Sequence, residues 1–322
     1  MKALVFNMLT IAATFAAMTA CTSESDPVDE VNPKDAKVEI KLNAGVVNVE
    51  TKADINYDAD NTATFGDNVK VQLLRWDSES NTYSTPTWSE VTSGEAIISG
   101  TDIELNQDQK YYDKKGKYAF FIGFYPITPA NMTYSNDGTV KYKDIDGSID
   151  ILCAKAISAG NNATVTNTDI KFKHMLSQIK LTLKGDAVAQ SSFGNIESVT
   201  LKAIPQNLDI ALGNDPTIAI NSTEPNKKDI TILNTSTALS PEGIVCKTMI
   251  APSLGKSEET KLTIEIKTNL NETPISIEIN DLKSMTSGTT NNINLTFKDK
   301  IEVTTSIENW ETGDDKDLDY GN

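Results

Sequence analysis

KVEIKLNAGVVNV, residues 37–49, is written in period 2. Val38, Ile40 and Leu42 alternate with Lys37, Glu39 and Lys41, and Val47 and Val49 resume the pattern after Gly45. Successive side chains of a strand point to opposite faces, so this stretch reads as a half-buried β-strand with a bulge or turn at the glycine. The same reading recurs downstream at 69–76 (VKVQLLRW), 117–125 (KYAFFIGFY), 139–143 (TVKYK) and 149–154 (IDILCA). Turn-forming clusters separate these runs: SESN at 78–81, SNDG at 135–138 and DIDG at 144–147. KYAFFIGFY is almost uninterrupted in apolar residues, as a central strand covered on both faces would be.

A polar stretch, SAGNNATVTNTD at 158–169, marks the expected domain boundary, giving an N-terminal domain at 37–160 and a C-terminal domain at 161–322. Strand patterns then return at 170–183, 196–203, 207–212, 229–233, 245–251, 261–267, 274–279, 292–297 and 300–307. Within the first of these, FKHMLSQ at 172–178 is a candidate helical or bulged piece. Many short strands with few helical runs predict an all-β protein of two antiparallel β-sandwiches in tandem.

Upstream of residue 37 the pattern is of another kind. MKALVFNMLTIAATFAAMTAC, residues 1–21, has one lysine, an apolar run and small residues before a cysteine. That is the layout of a secretory signal peptide, here 1–20. The run is broken by Asn7 and Thr10 and is short for a hydrocarbon core about 30 Å thick. MTAC at 18–21 resembles the lipobox of bacterial lipoproteins, which implies lipidation at Cys21 and attachment to a membrane through acyl chains. Residues 22–36, acidic and holding two prolines, read as a flexible tether from that anchor. The acids just after Cys21 resemble a surface-export signal of some Bacteroidales lipoproteins.

The 322 residues carry 29 basic and 45 acidic side chains, a formal charge of −16, or −17 without Lys2. Phosphate backbones are repelled by such a surface, so nucleic acid is not an expected partner. Besides Cys21 there are Cys153 and Cys246, which read either as a disulfide in an oxidising compartment or as two small buried side chains. No CxxC spacing supports zinc.

His174, the single histidine, has no second histidine or nearby cysteine in sequence for a triad or a zinc cluster and reads as a core or interface residue. Asp144, Asp146 and Asp150 lack calcium-loop spacing and read as turn chemistry. The tail acids Asp314, Asp315, Asp317 and Asp319 read as a solvated end. Trp76, Trp88, Tyr111 and Tyr112 are candidates for a sugar-stacking surface, with Trp88 in the polar STPTWSEV the best placed and packing the commoner role. No GxSxG, Walker loop or HExxH occurs, so no catalytic residue, metal site or cofactor is expected and the chain does not read as an enzyme.

Several segments together resemble the fimbrillin family of Bacteroidales surface pili. Thr51-Lys52-Ala53 is similar to that family's T-R-A or T-K-A segment, and FGDNVKV at 65–71 to its F-x-x-G-D-x-I-x-V. GFYP at 123–126 is similar to A-Y-Y-P, FKHMLSQIKLTL at 172–183 to F-x-H-x-L-S-x-V-x-V-x-V, and SIENWETG at 306–313 to I-x-x-W-x-x-G. The resemblance implies two tandem transthyretin-like sandwiches, passage to the outer membrane and cell surface as a lipoprotein, and removal of the first strand by a protease. A neighbouring subunit's strand then fills the gap, so the implied partners are other fimbrial subunits, in a homo- or hetero-polymer, and a host or bacterial surface ligand. On this reading Val38, Ile40, Leu42, Val47 and Val49 are the displaced strand. Lys52 is the candidate cleavage site, because Arg75, the single arginine, sits inside a strand pattern. The best donor pattern is 292–307. A surface glycan-binding lipoprotein of a nutrient-uptake system is the alternative.

Overall fold

In the computed structural model, the residues described are 37–46, 55–57, 63–127, 130–224, 226–252, 261–279, 285–298 and 300–309. Cys21, Val47, Val49, Lys52 and the terminal Trp310 block lie outside them. Residues from Lys37 onward form one compact unit. Its architecture is all-β, in several sheets.

The first sheet closes on itself. Taken around the ring it runs β6 (Tyr118–Tyr125), β9 (Leu152–Ala154), β13 (Thr168–His174), β1 (Leu42–Val46), β5 (Asp102–Glu104), β4 (Thr92–Gly100) and β3 (Ala63–Ser78), and β3 pairs back to β6. Closure removes the free edges that an open sheet presents. β2 (Ile55–Tyr57) and β10 (Ile157–Ser158) add to β3 and β6 from outside the ring. β11 (Gly160–Asn161) and β12 (Thr164–Val165) make a small hairpin between β10 and β13.

β6 is KYAFFIGFY, and it is buried on both faces as the sequence suggests. Ala119 and Phe121 face the barrel core with Val71, Leu73 and Phe172. Phe120, Ile122 and Phe124 face a second core. That core is completed by a four-stranded sheet ordered β17 (Thr217–Ile220), β16 (Leu208–Ala211), β8 (Thr139–Tyr142) and β7 (Met132–Ser135). The glycine in the run has a packing reason. A Cβ on Gly123 would lie 2.8 Å from Leu73 Cδ2 and 2.9 Å from Phe172 Cζ.

Two further four-stranded sheets form the C-terminal sandwich. One is β19 (Ile244–Ile250), β14 (Ser177–Gly185), β22 (Thr289–Phe297) and β23 (Ile301–Asn309); the other is β18 (Lys227–Leu233), β15 (Ile196–Pro205), β20 (Leu262–Thr268) and β21 (Ile275–Ile279). Their inner faces share one core, including Ile179, Leu181, Leu201, Ile264, Leu295 and Phe297. The short helix α1 (Ala187–Phe193) is capped by the Asp186 carboxylate, which accepts from the Val188 and Ala189 amides at 3.0 and 2.9 Å.

Three sequence expectations need correction. The strands are not uniformly antiparallel: β1 runs parallel to β13, and β14 parallel to β22. Alternation reports faces, and parallel and antiparallel neighbours present the same alternation. Gly45 makes no bulge or turn, since the register from Leu42↔Thr168 to Val46↔Phe172 is unbroken. It sits at an outward position, so the next inward place belongs to Val46. FKHMLSQ is not helical. β13 ends at His174, Met175 and Leu176 are buried without strand pairing, and β14 starts at Ser177 in another sheet. A single run of sequence thus passes from barrel to sandwich. β13 follows residue 160 yet pairs within the barrel, while β16, from the later half of the chain, hydrogen-bonds β8.

Candidate strand-exchange site

β1 is the strand that closes the barrel between β13 and β5, and it is held differently on its two sides. Toward β13 it has five residues in continuous parallel register. Toward β5 only Asn43↔Asp102 is paired, supplemented by Ala44 N donating to Thr101 O at 2.7 Å. Ile40, Leu42, Ala44 and Val46 point into the barrel core, none more than 6% exposed. Val38 is partly buried against the same core. Of the expected displaced strand, Ile40 and Leu42 are therefore core side chains, joined by Ala44 and Val46, which the sequence reading did not single out.

The segment before β1 is gripped by residues 110–112. Ile40 N donates to Lys110 O at 2.8 Å and Tyr112 N to Val38 O at 2.9 Å, around a bridge between Glu39 and Tyr111. Lys110 Nζ lies 3.0 Å from the Glu39 carboxylate, and that hydrogen-bonded carboxylate raises the lysine pKa. Lys37 Nζ stands 5.1 Å over the Tyr111 ring. The Tyr112 hydroxyl donates to Ala159 O at 2.5 Å, and burial pushes its pKa up. The two tyrosines considered for sugar stacking thus belong to the clasp around the first strand.

Arg75 braces this clasp. Its Nη1 donates to Gln109 O at 2.8 Å and to Tyr111 O at 2.6 Å, and its Nη2 pairs with Asp77 at 3.0 Å. Gln109 in turn donates from Nε2 to Leu73 O and Thr92 O, both at 2.9 Å. A guanidinium with fixed, forked donors suits two carbonyls and a carboxylate at once. The residue is 6% exposed, so it offers no cleavage site while the chain is folded. One signal could have found it: the chain's only arginine stands inside a strand pattern, where an unpaired charge would be costly.

The remaining candidates disperse. Asp144 pairs with Lys228 Nζ at 2.5 Å and accepts from Asn226 at 2.8 Å, and the Lys228 hydrogen bond lowers its pKa. Asp146 accepts from Ser148 N at 2.9 Å, while Asp150 meets His174 Nδ1 at 2.5 Å inside the protein. The three carboxylates serve separate partners, and among the described residues no cluster of three His, Cys, Asp or Glu is placed to hold a metal. Cys153 lies in β9 and Cys246 in β19; both are free and buried, and burial pushes both thiols up. Trp76 stacks on Phe120 at 5.4 Å between centroids. Trp88 is half-buried and lies so close over Gly138 that a Cβ there would be 2.3 Å from its ring. Trp76 is buried, and Trp88 packs against Gly138 and lies 6.5 Å from Trp76 between centroids. No described helix is long and apolar enough to cross a membrane.

A closed β-barrel, with β1 seated between β13 and β5, followed by a β-sandwich defines an all-β protein of several sheets. The chain belongs to the fimbrillin-like family, whose model matches residues 51–310. Solved structures share the fold. A proposed cell adhesion protein from Bacteroides ovatus superposes with a TM-score of 0.61 at 15% identity, over 87% of this chain and 100% of its own. Another from Bacteroides uniformis gives 0.57 at 15% identity, over 84% and 99%. Among curated proteins no match was found.

Proposed function

We propose that this chain is a structural or accessory subunit of surface fimbriae, exported as a lipoprotein through Cys21 and assembled by exchange of β1. Membership of the fimbrillin-like family supports the fimbrial class. The observation that carries the exchange is the seating of β1. It is the first strand among the described residues, it closes the ring, and it has a full parallel ladder on one side against a single residue pair on the other.

The energetics define how exchange works. Ile40, Leu42 and Val46 are fully covered, and burying each contributes about 1.5–3 kcal/mol. A cut at Lys52 therefore leaves β1 in place until an incoming strand competes for its groove. Loss of β1 uncovers unpaired backbone groups on β13 and β5 and an apolar channel beside Phe172, which favours capture of a new strand. The incoming strand must offer large, large, small and large inward residues, as Ile40, Leu42, Ala44 and Val46 do. β23 offers Ile301, Val303, Thr305 and Ile307 in that order. Residues 292–297, also part of the expected donor, are not suited to leave: they lie in β22, paired to both β14 and β23, with Ile293, Leu295 and Phe297 in the core.

The test is Lys52→Ala in the exporting cell. Monomers with an intact N-terminus and no SDS-resistant ladder support the reading; ladders equal to the parent's overturn the role of Lys52. Separately, Cys21→Ala should abolish fatty-acid labelling, and continued labelling with outer-membrane fractionation would sink the lipoprotein step.

A further inference from the structure

Among the described residues, β23 has a strand partner on one side only and leaves its other edge unpaired. It runs nine residues, IEVTTSIEN, with neither proline nor lysine, and pairs only with β22. Of the other sandwich and inner-sheet edges, β19 carries Lys247 and β18 carries Lys227 and Lys228, while β7, β17 and β21 carry no lysine but run only four, four and five residues; charge and shortness are both usual protections against edge pairing. Val303 faces the same side as its buried partner Leu295, and Ile307 the same side as Asn291. Both are nonetheless exposed, at 40% and 45%. The inward face of this strand therefore overhangs the facing sheet. At its start a groove of about 670 Å³ opens between Phe193, Ile275, Ile277 and Ile301.

We propose that this edge pairs with the same edge of a second copy, antiparallel about a two-fold axis at Thr304, and joins the two β22–β23 sheets into one. The occupant is fixed by complementarity. With Thr304 opposite Thr304, Ile301 falls opposite Ile307 and Val303 opposite Thr305, all on the inward face. On the outward face, Lys300 falls opposite position 308, a glutamate in the sequence, and Glu302 opposite Ser306. No pair then sets like charges opposite each other, and the Lys–Glu pair joins opposite charges, which cross-strand neighbours favour. Moving the axis to Thr305 sets Glu302 against Glu308 twice, and like charges directly opposite are destabilising. Moving it to Val303 sets Ile307 against the turn before the strand. The Thr304 register also brings Ile307 of the second copy beside Ile301, at the groove. The interface is isologous, each contact occurring twice. It needs neither removal of β1 nor exchange, so it is separate from fimbrial assembly and is tested on the uncut chain.

The experiment uses the full chain, purified in mild detergent, across a dilution series. Light scattering should show a monomer–dimer equilibrium with twice the monomer mass at the concentrated end. Thr304→Cys, on the axis, should give a disulfide-linked dimer on air oxidation, because directly opposite residues lie about 4.5–5.5 Å apart at Cα, within disulfide reach. Cys153 and Cys246 are buried and do not compete, and the parent chain oxidised in parallel controls for cross-linking through Cys21. The double variant Val303→Lys and Ile307→Lys should remain monomeric throughout, with an unchanged circular dichroism spectrum. A parent that is monomeric at every concentration overturns the proposal. So does cross-linking at Thr305→Cys in place of Thr304→Cys, which would require the register with opposed glutamates.

Discussion

β1 and β23 carry nearly the same message and meet opposite surroundings. Both alternate, and both offer large, large, small, large along one face: Ile40, Leu42, Ala44, Val46 in one and Ile301, Val303, Thr305, Ile307 in the other. β1 stands between two strands, and its apolar face is sealed inside a barrel. β23 has one neighbour, and its equivalent face is open at Val303 and Ile307. A period of 2 thus says which side chains share a face; coverage of that face is decided by strands far away in sequence. The comparison also shows why one strand closes its sheet while the other is left to pair with something else.

The largest expected effect lies in β1. Leu42→Ala should cost about 2–5 kcal/mol in urea unfolding, since a core leucine is removed from a closed barrel. A loss below about 1 kcal/mol would mean that β1 is already loosely seated and would break the contrast. Next is the wall that receives β1. Gly123→Ala pushes a methyl toward Leu73 and Phe172, and overpacking of this kind costs about 1–3 kcal/mol; a neutral variant would show that the barrel has slack there. Val303→Ala, on the open face, should change the stability of dilute protein by no more than about 0.5 kcal/mol. The smallest effect concerns the ion pair that bridges the turn into β23. Lys298 lies 2.8 Å from Glu302 and lowers its pKa through that hydrogen bond. A depressed carboxylate pKa adds stability above its ordinary value of 4.5 and loses it as pH falls through the folded value. The slight loss in Lys298→Ala should accordingly be present at neutral pH and absent in acid; the opposite trend would refute the pair's role.

Much of this fold was legible, and the exceptions have physical causes. Residues 196–203, 261–267 and 274–279 read as strands because apolar and polar side chains alternate along them, and 69–76 because it is largely apolar on both faces, which enter two cores. Thr92–Gly100 was missed: Ala96 and Ile98 alternate inward, but the Ser and Gly around them dilute the pattern. The run 170–183 reads as one strand, yet its halves enter two sheets. The interruption reads within FKHMLSQ as a helical or bulged piece, but alternation does not show that Met175 and Leu176 carry the chain from one sheet into another. Of the candidate site, Ile40 and Leu42 were legible from alternation. Ala44 was not, because alanine carries little apolar weight, and Val46 was displaced by the assumption of a bulge at Gly45. The clasp of Lys110, Tyr111 and Tyr112 was invisible, since it depends on backbone carbonyls that Arg75 and Gln109 hold in place.

The parallel ladder between β1 and β13 has a consequence in time. Asn43 and Asp169, which meet at 3.3 Å across that ladder, are 126 positions apart in the chain. Synthesis proceeds from the N-terminus, so β1 emerges well before the strand that completes its seat. Even its weaker partner, Thr101 and Asp102, arrives some sixty positions later. Contacts of such long range form late and slowly, because loop closure precedes any reward from pairing. The first strand to be made is thus among the last to be docked. Through that interval it is an unpaired apolar segment, open to capture by any partner that reaches it before β13 does.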